Sequence, residues 1–196
     1  MGSSEQSFLF LLASARTDGN TEALARHAAA GLPDDVPRRW LNLNEFPLPA
    51  FEDVRHVAGV RYAEPAGNER VLLDATMEAS DLVVASPLYW YSVSAVAKLY
   101  LDYWTYWLHN PRLDFKARMR RKTLWGISAI SAEDPAKADP LIGTLRLTAE
   151  YLGMRWGGAL LGYGNQPGQV LDDLDALAKA QAFFASAVAQ AAPQTA

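Results

Sequence analysis

"SFLFLLASARTDGNTEALAR", residues 7–26, decides the fold. Phe8 to Ala13 are apolar whichever way they point, so an extended chain here is buried on both faces, as a central parallel strand covered by helices is. Residues 14–21 then gather hydroxyls, a guanidinium, a glycine and an amide. An alanine-rich helical pattern follows over 21–31. A buried strand that breaks into a short polar loop and passes directly into a helix is the opening of a βα unit.

The same alternation runs outward along the chain. "RRWLNL", 38–43, reads as a second strand, and residues 44–67, with three prolines and no sustained period, read as a long surface excursion. A helix is predicted over 68–80, with Val71, Leu72, Ala75 and Ala79 on one face, followed by the strand "DLVVAS", 81–86. Next come a helix over 94–108, the strand "TLWGISAI" at 123–130, a helix over 140–152 and a strand over 154–161. A last helix, over 171–190, opens with Asp172, Asp173 and Asp175, which suit the positive end of its dipole. Five strands alternating with helices imply an α/β chain, a doubly wound parallel sheet with helices on both faces. The expected organisation is one domain over 1–192 and a disordered tail over 193–196.

Composition excludes several function classes. The 196 residues are half hydrophobic and one-fifth charged, with a net charge of −4, which gives no reason to expect a nucleic-acid or membrane-surface partner. The basic run "RLDFKARMRRK", 112–122, reads first as a solvated face and second as a dock for an anionic nucleotide. With no cysteine, disulfides, thiolate catalysis and cysteine-bound metals are excluded. His27, His56 and His109 lack metal-ligand spacing. No apolar run is long enough to span a bilayer, and "MGSSEQSF" lacks a signal-peptide pattern, so the expected compartment is the cytoplasm.

In a doubly wound sheet, ligands bind beyond the carboxyl ends of the strands, where residues 14–21 sit. Ser14, Thr17 and Thr21 supply hydroxyls, Arg16 a guanidinium and Asn20 an amide, and Gly19 lets the backbone fold closely. A helix start with these groups suits a phosphate. The competing reading is that Asn20 and Thr21 cap the helix and Gly19 makes the turn. There is no Walker motif and no GxGxxG after the first strand. "GYGNQPG", 162–168, follows the last strand and reads as a turn.

The strand ending at Ser86 leads into "PLYWYSVSAVAKLYLDYWTYW", 87–107. Pro87 stiffens the turn, and Tyr89, Trp90 and Tyr91 reach the same sheet edge as the first loop, where they suit a planar heterocycle. Ser92 or Ser94 caps the following helix. On that helix Tyr100, Tyr103, Trp104 and Trp107 recur at helical spacing as core or subunit interface, and Lys98 and Asp102 read as a surface ion pair.

Together "ASARTDGNT" and "SPLYWYSVSAVAKLYLD" resemble the two flavin-binding loops of the flavodoxin-like NAD(P)H-dependent FMN reductases and quinone reductases, whose patterns are GSxRxxGNT and PxYxxxxPxxLKxxID. "NLNEFPLPAFED" and "LRLTAEYLGMRWGGALLG" extend the likeness over nearly the whole chain. The resemblance implies a flavodoxin-like five-stranded sheet that binds FMN and uses NAD(P)H as co-substrate. Ser14, Arg16, Gly19, Asn20 and Thr21 would form the phosphate and ribityl end, while Pro87, Leu88, Tyr89, Trp90 and Tyr91 would pack along the ring. A third loop, "SAISAEDPA", would approach the ring's pyrimidine side through Ala129 to Ser131.

It further implies hydride transfer to a quinone, a free flavin or a similar small acceptor, with no catalytic side chain, and assembly as a homodimer or higher homo-oligomer. Tyr89, Trp90 and Tyr91 would shape acceptor access. The sequence departs from the pattern at Ala13, Ser94 and Ala97, and it carries Glu133 and Asp134 where many members have paired glycines. The rival readings are a flavodoxin-type electron carrier and a flavin-free interaction or sensory domain.

Overall fold

A computed structural model describes residues 6–59 and 62–191. Strands β1 (Phe8–Leu12), β2 (Arg38–Asn42), β3 (Asp81–Ala85), β4 (Thr123–Ile130) and β5 (Arg155–Tyr163) form one sheet, parallel throughout, in the order β2-β1-β3-β4-β5. Side-chain alternation divides each central strand between two cores. Leu9, Leu11, Leu82, Val84 and Leu124 face α2 (Gly67–Glu78), α3 (Ala95–His109) and α5 (Asp139–Leu152). Phe8, Phe10, Leu12, Val83, Trp125 and Ile127 face α1 (Asn20–Ala29), α6 (Leu174–Ala182) and α7 (Ala185–Ala191). β1, β3 and β4 are buried at every position, which is why their sequences read as continuous apolar runs.

The aromatic stripe of α3 is core within the chain. Tyr100, Tyr103, Trp104 and Trp107 are all buried, and Tyr100 and Trp107 both reach α2: the Tyr100 hydroxyl meets Thr76 Oγ1 at 2.6 Å and Trp107 Nε1 donates to Glu69 Oε1 at 3.0 Å. Burial pushes the Tyr100 phenol well above its ordinary value, and burial also raises the Glu69 carboxyl, against the opposing indole hydrogen bond.

This packing corrects two expectations and adds anchors to a third, the surface excursion, most of whose described residues are exposed. The excursion after β2 is strapped down: Phe46, Leu48 and Phe51 pack on the core, Tyr103 Oη donates to the Pro49 carbonyl (3.1 Å) and Tyr106 Oη to that of Glu52 (2.7 Å). These two hydroxyls tie the segment to α3 at Pro49 and Glu52, which are themselves exposed. The basic run is only partly a solvated face. It contains α4 (Phe115–Met119), whose Phe115 and Met119 are buried, and Lys122 is just 6% exposed.

Lys122 Nζ donates to the carbonyls of Met77 (3.0 Å) and Ala79, and Arg118 donates to that of Met77 (3.2 Å), so two cations close the carbonyl end of α2. Burial, assisted by the neighbouring Arg118 charge, brings Lys122 down to about 8.

The predicted last helix is two. α6 and α7 are separated at Phe183 and Phe184, both of which meet the Trp125 ring edge-on at 5.2 Å, and adjacent residues of one unbroken helix diverge too far to do so together. Asp173 caps α6 by accepting from Ala176 N (3.0 Å), and its other oxygen accepts from Tyr163 N (2.8 Å). The Tyr163 bond is the larger of the two that hold its carboxyl below the ordinary range. Asp173 therefore contributes stability that is present above the unfolded carboxylate pKa and is lost as pH falls through the lowered one. The expected tail, 193–196, lies outside the described residues. Among the described residues no helix is long and apolar enough to cross a membrane.

Candidate functional site

Strand order reverses between β1 and β3, and the loops that follow them emerge side by side: Ala13 N donates to the Ala85 carbonyl at 2.9 Å just beyond the last paired residues. One strand further, Ser86 N donates to the Ile127 carbonyl at 3.0 Å, and β4 runs on from there to Ile130 at the same edge. This crevice is where a doubly wound sheet holds its ligand.

In the first loop neither Asn20 nor Thr21 caps α1. The N-cap is Gly19, and no side chain bonds the first turn. Asn20 Nδ2 instead donates to the Gln166 carbonyl (2.8 Å), and its Oδ1 accepts from Val170 N at 3.4 Å. Buried Thr21 accepts through Oγ1 from Ala129 N at 3.2 Å. The start of α1 is left with free amides and the positive end of its dipole, a standard anion site.

Gly19 has an ordinary φ of −77°. A Cβ there would stand 3.2 Å from Ser14 Oγ, so that hydroxyl would have to give by a few tenths of an ångström, while the left-handed residue of the loop is Asp18, at φ 55°. Ser14 Oγ itself accepts from Arg16 N at 3.1 Å. Arg16 and Thr17 are exposed, and Arg16 makes no ion pair among the described residues.

A contribution missed in the sequence comes from the end of β2. Asn44 Nδ2 donates to the Ser14 carbonyl at 2.7 Å and is itself steadied by Asn42 Oδ1 at 2.9 Å. Two asparagines spaced by one at a strand end are the signature of an Asx turn, and that was the available signal.

The second loop is a miniature hairpin. Tyr89 and Ser92 exchange both backbone bonds at 3.1 Å, and the two residues between them, Trp90 (φ 49°) and Tyr91 (φ 63°), are left-handed. Two positive φ angles in succession define a type I′ turn, which Asn-Gly fills without strain. Two bulky aromatics cost about 1–2 kcal/mol each there. The base holds them: Ser94 N donates to Ser86 Oγ at 2.8 Å, and Ser94, of the two serines predicted, caps α3 by accepting from Ala97 N at 3.3 Å.

Pro87 and Leu88 are half-buried, Tyr89 and Tyr91 are exposed, and Trp90 is 94% exposed. An indole kept in strain and in water is a mark of function rather than of stability. Replacing the pair by Asn-Gly is expected to raise the melting temperature by about 5 °C. An unchanged or lower melting temperature in a thermal scan overturns the assignment of strain.

In the third loop Ser131 is exposed, and Asp134 Oδ1 accepts from Ala136 N at 3.0 Å to cap the turn Pro135–Ala138. Of the turn predicted over 162–168, Gly162 and Tyr163 belong to β5, and the residues after them dock beside the first loop: Gly164 N donates to the Ile130 carbonyl at 2.9 Å, and a Cβ on Gly164 would stand 2.8 Å from Asn20 Nδ2. Lys98 and Asp102 form the expected exposed pair at 2.6 Å. Among the described residues no three His, Asp or Glu side chains are grouped to hold a metal ion.

With this geometry in place, comparisons with known proteins are informative. A family model described as the flavodoxin-like fold matches residues 6–185. The chain is 32% identical over 167 residues to a Bacillus subtilis (strain 168) protein with the provisional name NAD(P)H-dependent FMN-containing oxidoreductase YwqN, spanning 84% of this chain and 89% of that one. Among solved structures, the Trp repressor binding protein from Bacillus subtilis aligns with a TM-score of 0.70 at 26% identity, over 90% of this chain and 96% of its own. An FMN-dependent NADH-azoreductase from Bacillus anthracis str. Ames Ancestor, solved in complex with FMN, aligns with a TM-score of 0.64 at 14% identity, over 95% and 100% of the two chains. At that identity the likeness is one of fold.

Proposed function

Because the chain belongs to the family of the flavodoxin-like fold, matched over residues 6–185, we propose that it is an FMN-dependent oxidoreductase that draws reducing equivalents from NAD(P)H and delivers them to a quinone, a flavin or a similar small acceptor. The observation that carries this reading is the uncapped start of α1 beside the strained aromatic hairpin, at the point where strand order reverses. Bound FMN supplies the hydride chemistry, and the protein supplies position and electrostatics.

The residues fit that cofactor. Gly19 leaves room for the loop to fold tightly, and the amides of α1, with Ser14, Arg16 and Thr17, would hold a phosphate. Asn20 and Thr21 would contribute their backbone amides, their side chains being engaged elsewhere. Pro87 to Tyr91 would line the ring, with the exposed rings of Tyr89, Trp90 and Tyr91 excluding water and shaping acceptor access. Ala129 to Ser131 would meet its far side. No step of this chemistry requires a side-chain nucleophile, and none is assigned.

The proposed partner is a second copy of the chain. Between α3 and α5 lies a groove of about 320 Å³ whose walls include Leu101, Trp104, Leu108 and the exposed Leu147 and Tyr151. An apolar face of this kind suits association with a second copy about a two-fold axis. Sedimentation is expected to give a dimer that Leu147→Glu dissociates, and a wild-type monomer overturns this.

The test of function is an anaerobic visible spectrum of protein loaded with FMN, before and after NADPH or NADH is added. Bleaching of the flavin band by a nucleotide is the expected result. A retained flavin that neither nucleotide reduces would make the chain an electron carrier instead. Failure to retain FMN would remove the flavoprotein reading altogether.

A further inference from the structure

We propose that Asn20 and Gln169 are positioning residues that clamp the loop over residues 164–170 onto the start of α1, and that this clamp, in which neither side chain touches the ligand, holds the phosphate site in register. The proposal rests on the FMN-binding reading above and assigns Asn20 a different part in it from that of a side-chain ligand.

The geometry is closed on every side. Asn20 spends both polar atoms on the loop, donating to the Gln166 carbonyl (2.8 Å) and accepting from Val170 N (3.4 Å). Gln169 holds the same loop from within, its Oε1 accepting from Asn165 N (2.9 Å) and Gln166 N (3.0 Å). Gly164 allows the approach, since a Cβ there would stand 2.8 Å from both Asn20 Nδ2 and Val170 N. Gly168, at φ 80°, makes the left-handed turn that returns the chain to Gln169.

The consequence for α1 is one of placement. Its N-cap, Gly19, has no side chain to bond the amides of the first turn, so they are available to an anion. Asn20 and Thr21, the first two residues of the helix, are tied to the loop after β5 and to Ala129 N at the end of β4, and these bonds fix where the helix start stands against the neighbouring loops. Phosphate affinity then depends on a loop more than 140 residues away in the chain, at Gln166, which supplies no phosphate ligand.

A double-mutant cycle tests this with the whole protein. Dissociation constants for FMN and for riboflavin are measured by flavin fluorescence for wild type, Asn20→Ala, Gln169→Ala and the double variant, with melting temperatures in parallel. The expected result is that each single change weakens FMN about fivefold to tenfold, that the double variant is no worse than about the larger single effect, and that riboflavin responds much less. Effects that multiply, or Gln169→Ala binding FMN as wild type does while Asn20→Ala does not, would make Asn20 a direct ligand and overturn the clamp.

Equal losses for FMN and riboflavin, with a falling melting temperature, would reduce the clamp to a purely structural element and overturn it as well. Wild-type protein that binds neither flavin is a separate outcome: it removes the FMN reading, and the clamp with it.

Discussion

Arg16→Glu raises the dissociation constant for FMN about a hundredfold and leaves that for riboflavin within a few-fold. Arg16 is exposed and makes no ion pair among the described residues, so its replacement breaks nothing in the fold. Toward a phosphate, a guanidinium contributes a charge-assisted hydrogen bond of about 1.5–3 kcal/mol. A carboxylate in its place adds repulsion, which solvent screening keeps modest.

The sum is about 2.7 kcal/mol, a factor of about 100 in affinity. Fluorescence titration with the two flavins measures it, and the difference between them should shrink as salt is added. A parallel loss of riboflavin would mean that the loop had been disturbed, and equal FMN binding by both proteins would place the phosphate away from Arg16.

Gly157→Val lowers the melting temperature by about 6–12 °C. Trp125 lies against this glycine: a Cβ at 157 would stand 2.3 Å from Cδ2 and 2.5 Å from Cε2 and Cε3 of the indole. The ring cannot withdraw. It is 2% exposed, its Nε1 donates to Asp81 Oδ1 at 2.9 Å, and Phe183 and Phe184 close on it at 5.2 Å. The sheet register shifts here, since Leu124 pairs with Trp156 and Trp125 with Gly158, which leaves Gly157 as the extra residue of a β-bulge.

Overpacking of this kind costs about 3 kcal/mol, and each kcal/mol moves the melting temperature about 2–4 °C in a chain of this size. Gly143→Ala is the control, on α5 with nothing within 4 Å of a Cβ, and is expected to stabilise slightly. A Gly157→Val protein that melts with wild type would show that the bulge yields freely.

The legible part of the fold was the part built on period. Phe8 to Leu12, Asp81 to Ala85 and Thr123 to Ile130 are apolar throughout because both sheet faces are covered, and that pattern is visible without partners. The loops at 14–21 and 87–91 were legible as strand ends as well, because a change from an apolar run to polar and turn-forming residues marks where each strand stops. Lys122 was not legible. In sequence it is one cation of a basic run, and only the end of α2, more than 40 residues earlier, makes it a buried cap. Nor was the hairpin turn legible, since Trp-Tyr is about the last pair that turn chemistry would select for two left-handed residues.

The sequence by itself determined the parallel five-stranded sheet and which loops follow its strands, because these follow from side-chain periodicity and local composition. The tertiary structure alone decided which partners the residues of those loops take. Asn20 and Thr21 look the same in the chain whether they cap their own helix or brace Gln166 and Ala129. A polar side chain has several partners of similar energy within reach, and which one it takes is set by the distant strand ends that sheet closure brings beside it.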